Sequence, residues 1–249
     1  MFKLRSYQRL WRYQFKRLSK QLSLIGDPVL RQVLTKGYAV MPNYWDKQRC
    51  EKARVAIDHL LLAPQVKVWH DPLNADERIM GAERLSSDLD LIQDPVINRM
   101  IERLYDSQDL AKFTLAARLS AIQGNAGSGQ GWHRDSAFVY QFKAILYLSD
   151  VTADNGPFEY CTGTGNPISM LNFERKYDFS VDKNRFTDGE MQQTGLNKVQ
   201  TFCAKQGTLL LINARGLHRG KPILHGTRYA LTNYYWPHKI PEHMQSFVN

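Results

Sequence analysis

The sequence predicts an α+β protein, mainly β, in which helices lead into an antiparallel sandwich or barrel. Three observations carry this reading. A chain of 249 residues, 43% apolar and 23% charged, can bury one sizeable core, and its length favours one elaborated domain over two. Ahead of Phe113, apolar residues recur at helical spacing. From Phe113 onward, short apolar runs alternate with Gly, Asn, Asp and Ser clusters, and no helix-length periodic segment separates those runs convincingly. That texture speaks against a doubly wound parallel sheet.

The first 20 residues carry Lys3, Arg5, Arg9, Arg12, Lys16, Arg17 and Lys20 and no acid. Seven of the 33 basic side chains therefore sit in one segment, and the remaining 26 face 24 acidic ones. The net charge of +9 belongs mostly to that segment, not to the body. Leu4, Tyr7, Trp11, Leu18 and Leu22 fall at spacings of three, four or seven, which predicts a basic amphipathic helix over residues 1–25, ahead of a domain spanning 26–249. Gly26-Asp27-Pro28 ends it, because a residue before proline is pushed out of the helical region.

Residues 37–41 read as a short strand, and residues 46–62 as a helix with Cys50, Ala53, Ala56, Ile57, Leu60 and Leu61 on one side. Residues 63–93 lack periodicity and read as an irregular connection. A second helix is expected over 95–105, capped by Asp94, with Val96, Ile97, Met100, Ile101 and Leu104 buried. Strands are expected at 113–123, 138–149, 157–161, 198–203, 207–213 and 227–236, with residues 163–197 as an irregular lid or substrate loop. Tyr234, Tyr235 and Trp236 read as barrel filling, not a base-stacking platform.

No run of 18 apolar residues occurs and the N-terminus has no signal-peptide core, so neither a spanning helix nor export is expected. Cys50, Cys161 and Cys203 are odd in number and form no CxxC, which reads as free thiols in a reducing cytoplasm.

The chemistry concentrates in Gly131-Trp132-His133-Arg134-Asp135. In an extended segment His133 and Asp135 project to one face, so an imidazole and a carboxylate can meet a single ion. A facial triad for Fe(II) needs two imidazoles and one carboxylate with adjacent positions left open. His218, after the apolar run 209–212, supplies the second imidazole. Arg228, ten positions on, opens a strand and is suited to a bidentate bond with the distal carboxylate of a keto acid. A His-x-Asp alone is weak; its combination with the later histidine and arginine is what counts.

From Lys36 to Pro237 the chain resembles the phytanoyl-CoA dioxygenase family of iron(II)- and 2-oxoglutarate-dependent oxygenases. The resemblance rests on Gly37 to Pro42 with the helix ending Ala56-Ile57-Asp58, on Trp132-His133-Arg134-Asp135, on Ala144 to Asp150 with Asn155-Gly156-Pro157, and on Gly207 to Asn213 with His218 and Arg228. It implies a double-stranded β-helix (jelly-roll) core with the N-terminal helices packed on it. It also implies His133, Asp135 and His218 as metal ligands, with oxidative decarboxylation of 2-oxoglutarate to succinate and CO2 coupled to hydroxylation by O2. Gln123 stands where the family often places an amide on the cosubstrate, and Tyr147 is on the strand after the metal loop, a candidate to turn inward. Two departures stand out: Cys161-Thr162-Gly163-Thr164-Gly165 replaces the family's Pro-Gly-Ser-His, and Gly220 removes a hydroxyl expected two residues past the distal histidine.

The expected activity is hydroxylation of a small or a lipid- or carrier-linked metabolite. Desaturation, epimerisation and ring formation use the same triad, and a metal-free jelly-roll binding module is the alternative outside enzymes. Asp135 argues against halogenation, which needs a small residue at that position. The basic helix, with Phe2, Leu4, Tyr7, Trp11, Leu18 and Leu22 on its apolar stripe, is expected to touch an anionic membrane through residues 2–22 or else to pack that stripe on the barrel. A nucleic-acid role is disfavoured by the near-neutral body.

Overall fold

The computed structural model describes residues 2–193 and 198–249, with side chains of the first helix described from Tyr7 onward. In chain order the helices and strands are α1 (Phe2–Ser23), α2 (Pro28–Lys36), β1 (Tyr38–Met41), α3 (Lys47–Leu61), β2 (Trp69–His70), β3 (Asp76–Met80), α4 (Pro95–Tyr105) and β4 (Leu110–Ser120). The second half adds β5 (Trp132–His133), β6 (Phe142–Tyr147), β7 (Phe158–Cys161), α5 (Pro167–Lys176), β8 (Arg185–Phe186), α6 (Asp188–Gln193), β9 (Val199–Phe202), β10 (Leu209–Asn213), β11 (His218–Gly220), β12 (Thr227–Pro237) and α7 (Glu242–Gln245).

Two antiparallel sheets form the body. One runs β1-β10-β6-β12-β4-β3-β2 and the other β8-β5-β11-β7-β9, so strands adjacent in space are mostly distant in sequence, as a jelly roll requires. The long pair β12 and β4 registers Thr227 against Ser120 through Pro237 against Leu110. Period-two alternation divides β12: Leu231 and Tyr235 face the main core, while Arg228, Ala230, Thr232, Tyr234 and Trp236 face the space between the sheets. Of the three aromatics expected as filling, Tyr235 is core; Tyr234 and Trp236 stack on each other at 5.6 Å and line the cavity.

Capping explains most helix starts. Asp94 accepts from the amides of Val96 and Ile97 at the head of α4, worth about 0.5–2 kcal/mol, and Asp46 accepts from Arg49 at the head of α3. Four helices, α2, α5, α6 and α7, fall where none was expected, and two of them carry a clear local signal. Asp27 caps α2 through the Leu30 amide with Pro28 in its first turn, and Asn166 caps α5 through Ile168 and Ser169 with Pro167 behind it. In both, the cap-proline pair marks a helix start. Residues 163–197 are accordingly not an irregular loop, since they contain α5, β8 and α6, and residues 63–93 are not irregular throughout, since β3 pairs with β4 over Asp76–Met80.

The N-terminal helix packs, but not through its expected stripe. Leu10, Tyr13, Gln14 and Arg17 are buried, while Trp11, Leu18 and Leu22 face solvent. Polar anchoring decides this: Arg17 Nε donates to the Leu34 carbonyl at 3.1 Å, and Tyr13 lies 4.4 Å from the Tyr140 ring and under the Arg215 guanidinium. Phe2 and Leu4 of the expected stripe have side chains outside the described residues.

Candidate metal centre and cosubstrate pocket

The two histidines, far apart in sequence, are direct register partners: His218 on β11 pairs with His133 on β5. Asp135 follows β5, its amide donating to the Ala214 carbonyl at 2.9 Å, which holds the turn beside β10. One ligand atom from each of His133, Asp135 and His218 falls within 4.8 Å of the others, and Asp135 Oδ1 lies 3.6 Å from both imidazole Nε2 atoms.

Each imidazole is turned by its own backbone. His133 Nδ1 meets the Gly131 carbonyl at 2.9 Å and His218 Nδ1 meets the Gly216 carbonyl at 2.8 Å. A carbonyl can only accept, so Nδ1 carries the proton and Nε2 presents a lone pair to the centre. Burial drives the His133 pKa down to about 4 and that of His218 well below its ordinary value, which keeps both rings neutral as ligands must be. Burial alone would raise the Asp135 carboxyl, but the carboxyl is held below the usual range, above all by the Lys143 ammonium.

Lys143 was not anticipated. Its ammonium reaches Asp135 Oδ2 at 2.7 Å and lies 4.7 Å from the Tyr234 ring, so one carboxylate oxygen is occupied and Oδ1 alone faces the histidines. The signal was present: Lys143, Ile145 and Tyr147 alternate on the inner face of β6, and a lysine in an otherwise apolar strand asks for a buried partner.

Glycine makes the metal loop possible. Gly129 has φ of +80°, and a Cβ there would stand 2.4 Å from His133 Cε1. Arg134, between the two ligands, points the opposite way and ties the loop to α5 through Glu174 at 2.8 Å and to the Val181 and Lys183 carbonyls. Arg219 does the same after His218, bonding Glu159 at 2.7 Å and covering the Trp132 ring at 4.6 Å.

The triad opens into a cavity of about 400 Å³ between the sheets, where Arg228, Arg78 and Ser128 also lie. Arg228 is 6% exposed, forms no ion pair among the described residues, and its Nε has no partner. Burial lowers its pKa, with Tyr147 and Asp76 pulling the other way. Arg78 differs, since its guanidinium grips Asp76 and also donates to Ser128 Oγ at 3.2 Å. The departure at Gly220 has a structural counterpart: a Cβ there would come 2.7 Å from Ser128 Cβ, so the missing hydroxyl two residues past His218 leaves room for one from the metal loop.

Tyr147 lines the cavity beside Arg228, but its hydroxyl is already committed, accepting from the Phe158 amide at 2.9 Å and donating to the Phe202 carbonyl at 3.2 Å. Burial pushes its pKa up to about 12. Gln123 is not brought to the site. The expected strand 113–123 is displaced to 110–120, its pairing with β12 ends at Ser120, and the chain turns at Gly124 (φ +85°), leaving Gln123 exposed outside the cavity lining.

A model of the phytanoyl-CoA dioxygenase family matches residues 34–226. The chain belongs to the phytanoyl-CoA dioxygenase family. Membership makes it a 2-oxoglutarate-dependent oxidoreductase, and the His133, Asp135 and His218 donor set fits the iron such enzymes use. The fold agrees with solved structures. The carbocyclase SnoK from nogalamycin biosynthesis is 13% identical with a TM-score of 0.66, covering 90% of either chain. The epimerase SnoN, solved with Fe3+, alpha ketoglutarate and a nogalamycin compound, is 17% identical with a TM-score of 0.62, covering 83% of this chain and 81% of its own. HygX from Streptomyces hygroscopicus, solved with nickel, 2-oxoglutarate and hygromycin B, is 15% identical with a TM-score of 0.59, covering 87% of this chain and 89% of its own. No curated protein matches the chain.

Proposed function

We propose that this family member is an iron(II)- and 2-oxoglutarate-dependent dioxygenase that hydroxylates an unactivated C–H bond of a small or a lipid- or carrier-linked metabolite. The observation that carries the proposal is an unpaired buried guanidinium, Arg228, in the same cavity as a facial set of two neutral imidazoles and one carboxylate. A buried cation without an acid is costly unless a ligand supplies the anion. A dicarboxylate with one end at the triad and the other on Arg228 satisfies both ends of the cavity.

The donor set passes a test of fit on the protein's own atoms. His218 Nε2 is buried without a partner, and Asp135 Oδ1 sits at equal distance from both imidazoles. When bound, iron with 2-oxoglutarate and O2 supplies the oxidising chemistry. The protein's part is to bind, orient and exclude. His133 and His218 present lone pairs fixed by their backbone carbonyls, Lys143 holds the spare oxygen of Asp135, and Arg228 positions the far carboxylate of the cosubstrate. Tyr234 and Trp236 form an aromatic wall against which the substrate carbon skeleton packs. Arg185, from the segment 163–197, and the C-terminal His243 and Met244 stand on the cavity's lining and are candidates to select the substrate.

A second reading has a specific support, because the structural neighbours SnoN and SnoK are an epimerase and a carbocyclase. The two readings separate by product. Hydroxylation adds one oxygen to the substrate per succinate formed, whereas epimerisation or ring closure does not. The first experiment is a succinate-release screen of acyl-thioester, glycolipid-precursor and amino-acid pools with Fe(II) and 2-oxoglutarate. Succinate release dependent on iron and on Arg228 is expected, and its absence together with a failure of 2-oxoglutarate to raise the melting temperature would leave the binding-module alternative. The cytoplasm is the proposed compartment, consistent with three free cysteines. Among the described residues no helix is long and apolar enough to cross a membrane.

A further inference from the structure

The face of α1 left uncovered by the body is an apolar ridge. Trp11, Phe15, Leu18, Leu22 and, just past the helix, Ile25 follow one another at spacings of four, three, four and three, and all are between 44% and 70% exposed. At about 100° per residue these positions project within a narrow sector of the helix. Leu10, Tyr13, Gln14 and Arg17 occupy a separate sector and are buried against the body. The remaining flank carries Arg9, Arg12 and Lys16, all exposed and in no ion pair among the described residues; Lys20 beyond them pairs with Asp106 at 3.1 Å. Side-chain entropy and hydration do not favour such a row of apolar groups in water, so the ridge asks for a cover.

We infer that α1 docks the protein on an anionic phospholipid surface, the ridge entering the headgroup boundary and Arg9, Arg12 and Lys16 meeting lipid phosphates. Charge selects this occupant over a second copy of the chain. A copy would bring an identical helix, with seven cations and no acid in its first 20 residues, against this one, and like charges would oppose the pairing. An anionic bilayer meets both demands of the helix at once. Between α1 and the body runs a cleft lined by Arg9, Arg12, Lys16, Tyr13, Phe138 and Tyr140. The cleft and the metal cavity are separate but are lined by sequence neighbours, Tyr140 and Pro237 on the cleft and Gln141 and Trp236 on the cavity. The docking does not depend on the catalytic reading and is measured without turnover.

The test uses the full chain and cosedimentation with vesicles of mixed phosphatidylglycerol and phosphatidylcholine against pure phosphatidylcholine, at low and at high salt. Binding to the anionic vesicles, weakened by salt, is expected. The triple variant Trp11→Glu, Phe15→Glu, Leu22→Glu should lose at least about tenfold in vesicle affinity with a melting temperature close to that of the unaltered protein, because all three side chains are mostly exposed. Arg9→Gln, Arg12→Gln, Lys16→Gln should lose on the order of 100-fold for anionic vesicles, at roughly fivefold per cation. Should the first variant misfold, quenching of Trp11 by brominated lipid in the unaltered protein decides instead, with Trp11→Phe removing the quenched component. Equal binding to neutral vesicles, binding that survives both triple variants, or no quenching of Trp11 would overturn the docking. A concentration-dependent dimer that the apolar variant abolishes, without vesicle binding, would assign the ridge to a second copy.

Discussion

Two buried arginines, Arg134 within the metal loop and Arg228 on β12 across the cavity, answer the same physical problem differently. Arg134 is 2% exposed and points into the segment 163–197, where Glu174, equally buried, pairs its charge and two backbone carbonyls accept from its Nε and Nη2, although its Nη1 finds no partner. Arg228 is 6% exposed and points into the cavity, where no carboxylate among the described residues pairs with it and its Nε has no partner. Burial alone therefore does not distinguish a structural cation from a binding one. The partner and the space in front of the charge do. Arg215 shows that the space is needed: it too lacks an acid partner, but the Tyr13 ring covers it at 4.6 Å, it donates to the Gly165 carbonyl at 3.1 Å, and it lies outside the cavity.

The largest effect should come from the metal triad. His133→Ala, Asp135→Ala and His218→Ala are each expected to reduce 2-oxoglutarate turnover to background while circular dichroism stays native, since each removes a ligand and little core volume. Full turnover in any one of them would sink the triad.

Removing the partner of one arginine and the side chain of the other separates their roles. Glu174→Ala strands a buried cation and should cost about 3–5 kcal/mol in denaturant unfolding. Arg228→Ala should leave stability nearly unchanged without cosubstrate, and should raise the KM for 2-oxoglutarate by roughly 10- to 150-fold, the equivalent of a charge-assisted bond of about 1.5–3 kcal/mol. Lysine at position 228 should restore part of this. An Arg228 variant that unfolds like Glu174→Ala would make the two arginines alike and remove the carrying observation.

Smaller effects follow for the residues around them. Lys143→Met, which frees Asp135 Oδ2, should weaken Fe(II) binding about tenfold or more by titration under anaerobic conditions, in the range typical of groups that orient a ligand. Tyr147→Phe should cost about 1 kcal/mol through the bonds to Phe158 and Phe202 and leave the KM for 2-oxoglutarate unmoved. Gln123→Ala, at an exposed turn, should change neither quantity; a raised KM would mean that the turn closes on the cosubstrate.

The register of α4 and its cap, the strand order of residue types from Phe113 onward, and the pairing of His133 with Asp135 were legible because each depends on neighbours a few positions apart. A strand places i and i+2 on one face, and an aspartate before a helix caps it, whatever the rest of the molecule does. The helices α2 and α5 were legible in the same way from Asp27-Pro28 and Asn166-Pro167 but were passed over, the first as a break and the second as part of a loop.

The ligand types, the family resemblance, the helices α3 and α4 and the concentration of charge in the first 20 residues follow from local geometry and composition. Only the tertiary structure decided that Lys143 reaches Asp135, that Ser128 fills the space beside Gly220, that Gln123 falls outside the cavity, and that α1 buries Tyr13 and Arg17 while leaving Trp11 and Phe15 uncovered. Those outcomes depend on which strand lies beside which and where a pairing ends. Contacts between strands distant in sequence are set by the packing of the whole core, and periodicity along one segment carries no record of them.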